Sequence, residues 1–203
     1  MWSRLRVAAW LALVIHLGAG VVLAGILRHG LETNPDLVAR LRFLVDHRAM
    51  WIGAWLTWST AALSVLYFYA AFAWAHGRHG DAGAVPLALA VMLSAAGVAP
   101  DLAAGAIEVG VLPALAHRAL AELSSGAGGA TVVPLFLALH RTGTMLAGYL
   151  ANGLYTISAI LLTWSTRHVY PPWVWIAGLG VGLSGLVAAG AALANSIPGM
   201  VWS

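Results

Sequence analysis

The sequence contains five apolar stretches, each long enough to cross a lipid bilayer as a helix. A bilayer core of ~30 Å needs about 20 apolar residues in helical conformation. Inside lipid, only helices and closed barrels satisfy their own backbone polar groups. The stretches therefore predict an all-α, polytopic membrane bundle that forms one transmembrane domain over residues 1–203. The predicted spans cover about residues 7–27, 49–74, 84–108, 142–164 and 173–194.

The composition supports a membrane protein and excludes several other classes. The chain is 61% hydrophobic and 8% charged, whereas a soluble domain carries about 25% charged residues. With no cysteine, it is not a disulfide-stapled secreted module. The net charge of +3 comes from arginines scattered over short loops, so no nucleic-acid partner is expected. We expect a multi-pass protein of a prokaryotic-type inner membrane, with undetermined orientation because arginines flank both predicted sides equally.

Two segments beside the spans have the pattern of amphipathic interfacial helices, at about residues 37–48 and 131–141. Asp36 precedes the first segment and ends an Asn-Pro-Asp turn of the kind that caps helices. Apolar residues of this segment recur at helical spacing, which predicts one buried face. Arg40 and Asp46 are expected elsewhere on the surface.

A short internal repeat connects the two interfacial segments. The sequence FLVDHR at residues 43–48 resembles FLALHR at residues 136–141. Each copy lies in the same setting, after a span and a polar link and before another span. A parallel two-helix duplication with the fifth helix appended accounts for this pattern. Chance similarity is the alternative, because the motif is only six residues long.

Pro100 interrupts the third apolar stretch. Proline removes a backbone donor and clashes with the preceding helical turn, so a kink or a break is expected there. The piece before Pro100 is too short to cross a bilayer alone. We therefore predict one kinked span, while a broken or re-entrant segment would raise the number of spans to six.

Asp101 and Glu108 are the ionisable residues that matter most, since each is expensive within a bilayer unless it is paired or hydrated. Their spacing of seven places them on one helix face, ~10 Å apart along the axis. In the five-span topology, spans two and four begin on the side where Glu108 lies. We expect one polar cluster near this membrane face, which also contains His47, Arg48, His140, Arg141, Asn152 and Tyr155.

Trp51, Trp55 and Trp58 share one face of the second span, because their spacing is i, i+4, i+7. Helix packing or an interfacial aromatic belt explains this face without a function. The alternative is a pocket wall in which Trp55 and Trp58 contact a ligand and Arg48 lies over a ring.

These residues predict a site that binds a hydrophobic small molecule or lipid. Asp101 and Glu108 are the candidate catalytic groups, because a buried carboxyl can hold or donate a proton. His47 and His140 would relay that proton. Such a site suits acid–base chemistry on a lipid, or proton-coupled transport. The sequence does not decide whether the protein is an enzyme.

Several other interpretations remain open. The cluster is explained equally by a structural ion-pair network in which Arg141 neutralises Glu108 or Asp101. A non-catalytic subunit of a larger membrane complex, respiratory or other, fits the short loops. Haem bound by His16 with His140 or His47, and a metal bound by the histidines and carboxylates of the cluster, lack a supporting motif. No cofactor is therefore identified.

The fifth span carries a stripe of small residues, Gly178, Gly182 and Gly185. Small residues let a second helix approach closely. The stripe predicts packing within the chain, or contact with a second copy or another membrane subunit. Membrane lipid is the remaining expected partner.

Overall fold

The computed structural model describes residues 2–79, 83–125 and 131–194, and in these ranges the chain is helical with no strand. This confirms the predicted all-α class. Eight α-helices follow one another: α1 (Trp2–Gly25), α2 (Leu37–Asp46), α3 (Arg48–His79), α4 (Ala84–Gly110), α5 (Leu112–Ser124), α6 (Val132–Thr144), α7 (Asn152–Ser165) and α8 (Pro172–Leu193). A 3₁₀ turn, Leu27–His29, follows α1, and a π-helical segment, Met145–Ala151, joins α6 to α7.

Five helical stretches of the described residues are long and apolar enough to cross a membrane, as the sequence predicts. They are Ser3–His29, Arg48–Arg78, Ala84–Gly110, Val132–Ser165 and Pro172–Leu193. In the fourth stretch, no break separates residues 132–141 from the rest of the helix, and their position at a membrane interface stays a prediction. α6 continues through the π-helical segment into α7.

The long helices pack as neighbours in an open series. α1 packs on α3, α3 on α4, α4 on α7, and α7 on α8. Among the described residues, no substantial contact joins α8 back to α1. The bundle is therefore open along the gap between its first and last helices.

The two shorter helices cover one end of this bundle. α2 packs on α5, and α5 packs on α6. Their apolar faces join the beginning of α3 and the segment after α1 in one buried cluster, which contains Leu41, Leu44, Trp51, Leu112 and Phe136. We call this end the capped end.

The start of α2 confirms the predicted capping turn, because the Asp36 carboxylate accepts a hydrogen bond from the Ala39 N–H at 3.0 Å. The expected position of Arg40 is wrong. Arg40 is only 6% exposed, whereas Asp46 is exposed as predicted. Arg40 is covered because α5 packs on α2 and because Arg40 itself contacts His140 and Phe136 of α6. An isolated interfacial helix would leave this position in contact with water.

α4 runs through Pro100 as one helix, so the third apolar stretch forms one span rather than two. The two copies of the repeated motif differ in structure. A break at His47 separates α2 from α3, whereas the corresponding His140 lies inside α6. The duplication remains a prediction from the sequence.

The small-residue stripe of α8 packs against α7 of the same chain. A Cβ atom added at Gly178 would lie 2.8 Å from Thr163 Oγ1, and one added at Gly182 would lie 2.5 Å from Ile160. A Cβ atom at Gly185 would overlap Thr156. These glycines let α7 and α8 approach closely, so α7 already occupies the face that was considered for a second copy.

Candidate functional site

A cavity of about 490 Å³ lies in the bundle next to the capped end. Most of its wall is apolar, and its polar side chains come from four different helical stretches. The lining residues are His16, Ala19, Gly20, Leu23, Leu27, Leu31, Trp55, Trp58, Ala61, Ala62, Val65, Asp101, Glu108, Gly143, Thr144, Ala147, Gly148, Asn152, Tyr155, Ala188 and Ala192. A cavity of this size and composition is typical of small-molecule sites in proteins.

The cavity is partly open and lies between α1 and α8. A second cavity of about 320 Å³ shares His16, Val65, Asn152, Tyr155 and Ala188 with it. Because α1 and α8 lack substantial contact in the described residues, the joined cavities face the outside of the bundle laterally.

His16 lines both cavities from the middle of α1. Its Nδ1 lies 2.8 Å from the Ala12 carbonyl oxygen. Because a carbonyl only accepts, Nδ1 must carry the hydrogen and donate it. In the neutral ring, Nε2 is then the acceptor nitrogen.

Glu108 is held by a buried polar chain at the capped end of the cavity. Its side chain is 1% exposed, and its Oε1 lies 3.6 Å from His140 Nε2. On the other side of the ring, Arg40 Nη2 donates to His140 Nδ1 at 2.6 Å. Because a guanidinium has no acceptor, this bond fixes Nδ1 of His140 as the acceptor and leaves the hydrogen of the neutral ring on Nε2. The imidazole therefore directs a donor at Glu108.

Arg40 supplies the positive charge in this row of three side chains, Arg40, His140 and Glu108. Burial lowers the pKa of Arg40, and the negative charges of Glu32 and Glu108 offset part of that decrease. A guanidinium stays protonated in proteins, so the Arg40–His140–Glu108 chain joins a cation to a carboxylate through a neutral imidazole. The same turn of α4 is tied to α3, because Trp51 Nε1 donates to the Glu108 carbonyl at 2.8 Å.

Arg141 pairs with a residue that the sequence did not single out. Its Nη1 lies 3.7 Å from Glu32 Oε2, and its Nη2 donates to the Ala192 carbonyl of α8 at 2.6 Å. Thr144 Oγ1 also donates to Glu32 Oε2, at 2.8 Å. The expected pairing of Arg141 with Glu108 or Asp101 is therefore wrong. The segment between α1 and α2 folds back over the bundle and places Glu32 next to Arg141.

Asp101 lies two helical turns from Glu108 and has a different environment. It is 6% exposed, and its Oδ2 accepts a hydrogen bond from the Tyr155 hydroxyl at 3.3 Å. The Trp58 side chain makes a further polar contact with the carboxyl. Within the described residues, Asp101 forms no ion pair, and its Oδ1 is buried without a hydrogen-bond partner. This carboxyl therefore has a vacant acceptor at the cavity.

The π-helical segment forms part of the cavity wall. It carries Ala147 and Gly148, which line the cavity. Directly after it, Asn152 Nδ2 donates to the Gly185 carbonyl at 3.1 Å and holds α8 in place. A π-helical turn inserts extra backbone into a helix and often occurs at functional sites. No residue pattern in the sequence indicates it beyond a local excess of glycine.

The structure brings together most of the predicted site residues, but not all. Trp55, Trp58, Asp101, Glu108, Asn152 and Tyr155 line the cavity, and His140 and Arg141 lie directly behind it through their contacts with Glu108 and Glu32. His47 and Arg48 are exposed and do not line it. The chain turns at His47, where α2 ends, and this turn directs both side chains outward.

Sequence reasoning missed the roles of Glu32, Arg40 and Gly143. A Cβ atom at Gly143 would lie 2.8 Å from Glu108 Oε1, so glycine makes room for the carboxyl. Glu32 and Arg40 lie outside the apolar stretches, and nothing in their neighbourhood indicates burial. The charge balance of the sequence could have indicated them. The predicted buried carboxyls, Asp101 and Glu108, exceed the single cation Arg141, so further charged partners are required.

The geometry does not favour the metal and haem alternatives. Within residues 2–79, 83–125 and 131–194, no three metal-ligating side chains come together. His140 faces Arg40 with one ring nitrogen and Glu108 with the other. Neither nitrogen is directed at the cavity as an axial ligand would be.

Comparisons of the chain with protein-family models, with curated proteins and with solved structures give no match. The functional inference therefore depends on the geometry of the cavity and its carboxyls.

Proposed function

We propose that this chain is an integral membrane protein that binds a hydrophobic small molecule or lipid in the cavity beside Asp101 and Glu108. Asp101 is the titrating group that handles a proton during acid–base chemistry or proton-coupled transport of that molecule. The observation that carries this proposal is a combination at the wall of an apolar cavity of about 490 Å³. Oδ1 of Asp101 is buried without a hydrogen-bond partner, as is Oε2 of Glu108, but in the described residues only Glu108 has a cation nearby, Arg40 behind His140.

The outer surface of the bundle supports its location in a bilayer. Large apolar side chains are exposed on each long helix, among them Trp10, Leu56, Met92, Leu150 and Val181. A water-soluble monomer rarely exposes contiguous apolar surface on this scale. The lateral gap between α1 and α8 would then face lipid, which favours a ligand that partitions into the membrane.

The roles of the two carboxyls follow from their partners. Glu108 has a cation within reach through His140, and we assign it to holding the capped end together. Asp101 contacts only the neutral donors Tyr155 and Trp58 in the described residues, so a proton or a ligand can occupy its vacant oxygen.

Native mass spectrometry of the protein, extracted gently from its own membranes, tests this function. We expect a bound molecule of defined mass on the wild-type chain. Ala147→Trp places a large side chain in the cavity and should remove that mass, since Ala147 lines the wall. Ala96→Trp is the matched control, because Ala96 is exposed on the outside of α4, and it should keep the bound mass.

Two outcomes would contradict the proposal. A mass that Ala147→Trp retains would show that the ligand binds elsewhere on the chain. An empty chain in a stoichiometric complex with other proteins would instead support the non-catalytic subunit function.

A further inference from the structure

The cavity has a carboxyl, Asp101, that no cation of the described residues neutralises. Glu32 faces Arg141 at 3.7 Å, and Glu108 faces His140, which receives a hydrogen bond from Arg40. Among the described residues, these contacts involve the buried Arg40 and the partly exposed Arg141 and leave Asp101 with no cation. An ionised carboxylate in such an apolar setting attracts a cation strongly, because little water screens its charge.

The side chains around Asp101 suit an organic cation better than a metal ion. Trp55, Trp58 and Tyr155 line the same cavity, and aromatic faces attract ammonium groups through their quadrupoles. A metal ion would need several oxygen or nitrogen ligands. In the ranges that the structure describes, no three His, Cys, Asp or Glu side chains come together.

We propose that the ligand of this cavity is a lipophilic amine whose ammonium group binds Asp101 Oδ1 between the aromatic side chains. This inference rests on the proposed function, because it names the chemical class of the molecule bound at the same site. The hydrocarbon part of the amine lies against the apolar wall formed by small residues such as Ala61, Ala62 and Ala188.

The dimensions and access of the cavity are consistent with such a ligand. A volume of about 490 Å³ accommodates a compact hydrocarbon body with one polar group. Entry between α1 and α8 would carry the ligand past His16, which lines both cavities. A neutral His16 ring accepts a hydrogen bond at Nε2 and would receive one from an entering ammonium group.

Three probes of the same shape but different charge test this inference. They are 1-aminoadamantane, which is cationic at neutral pH, 1-adamantanol, which is neutral, and adamantane-1-carboxylate, which is anionic. Radiolabelled probes are bound to the full-length protein in phosphatidylcholine nanodiscs, and binding to empty nanodiscs is subtracted. We expect the amine to bind at least about tenfold more tightly than the alcohol, and the carboxylate to bind most weakly.

Asp101→Asn identifies the group responsible. It should weaken amine binding about tenfold or more and leave alcohol binding unchanged, because it removes the charge while keeping the shape. Asp46→Asn is the matched control, since Asp46 is an exposed carboxylate outside the cavity, and it should change neither. If Asp101→Asn does not fold, Trp58→Leu replaces it and should weaken the amine more than the alcohol.

The possible failures are distinguishable. Equal affinities for the amine and the alcohol, or tightest binding of the carboxylate, would overturn the cationic ligand while leaving a hydrophobic binding cavity. Retention of the amine preference in Asp101→Asn would show that another group supplies the charge. If none of the three probes binds above the level of empty nanodiscs, the proposed function fails together with this inference.

Discussion

Asp101 and Glu108 lie on the same face of the same helix, are both carboxyls and are both buried, yet their surroundings assign them different roles. Glu108 lies at the capped end, where α2 and α6 supply Arg40 and His140. Asp101 lies two turns deeper, where α3 and α7 present Trp58 and Tyr155. Burial of a carboxyl therefore does not by itself mark function. What separates the two is whether the fold supplies a cation.

The difference follows from position along the helix axis. Cations reach Glu108 because Arg40 is on a short helix that packs over the end of the bundle. A side chain from that helix does not extend two further turns to Asp101. For Glu108 the ion-pair interpretation stays a prediction, because its near neighbour is the neutral His140 and Arg40 lies behind that ring. For Asp101 the described residues show no ion pair.

Removal of the cation at the capped end should give the largest effect. Arg40→Met keeps an unbranched side chain of similar length but leaves Glu108 buried with no charge partner. We expect a loss of about 3–5 kcal/mol in the free energy of unfolding, as for other broken buried ion pairs. The measurement is reversible unfolding in mixed micelles followed by circular dichroism. Arg42→Met, at an exposed position of the same helix, should change stability by less than about 0.5 kcal/mol.

A direct comparison of the two carboxyls should show the next largest difference. Glu108→Gln removes one of the two carboxylate charges that act on Arg40, the other being that of Glu32, and should cost about 2 kcal/mol. Asp101→Asn removes a carboxylate that has no cation, so its effect on the free energy of unfolding should stay within about 0.5 kcal/mol. The same unfolding assay measures both. Equal losses would mean that Asp101 also belongs to a structural ion-pair network.

Gly143→Ala tests how tightly the Glu108 carboxyl is held. The new methyl group would lie 2.8 Å from Glu108 Oε1 and would displace the carboxyl from His140, at a cost of about 1 kcal/mol. Gly53→Ala is the control, because a Cβ atom there meets nothing within 4 Å. Since alanine favours helix over glycine, the control should gain about 0.5 kcal/mol. A similar gain in Gly143→Ala would show that the carboxyl is free to move.

The smallest effect should come from Tyr155→Phe. It removes the hydroxyl that donates to Asp101 Oδ2 at 3.3 Å but keeps the aromatic ring in the cavity wall. We expect a stability change below about 1 kcal/mol, since the lost hydrogen bond is long. Thermal unfolding in nanodiscs measures it. A much larger loss would mean that Asp101 depends on this hydroxyl for its place in the fold.

Much of the site could be predicted from the sequence, because side chains recur on one face of a helix with a known period. Asp101 and Glu108 share a face by their spacing, and the spacing of Trp55 and Trp58 places them on one face of α3; all four line the cavity. Arg40 was assigned to the surface because an amphipathic pattern shows only which residues are apolar. It does not show that α5 packs on α2 or that Arg40 contacts His140 of α6.

The repeated motif shows the same limit. His47 and His140 occupy equivalent positions in residues 43–48 and 136–141, yet His47 is exposed and His140 is completely buried. The first copy ends a helix, whereas the second lies inside α6. Six similar residues do not determine whether a helix ends, because the packing around them decides which backbone path is stable.

The apolar runs of the sequence are enough to predict the all-α class and the five long helices. Apolar length and the lack of charge decide both, since a helix must be long enough to span and a charge is costly in lipid. The tertiary structure alone decided the pairing of Glu32 with Arg141, the burial of Arg40, the π-helical wall and the isolation of Asp101 from any cation in the described residues. Electrostatic pairing depends on distances of a few ångströms between helices far apart in the chain, and such distances exist only once the helices have packed.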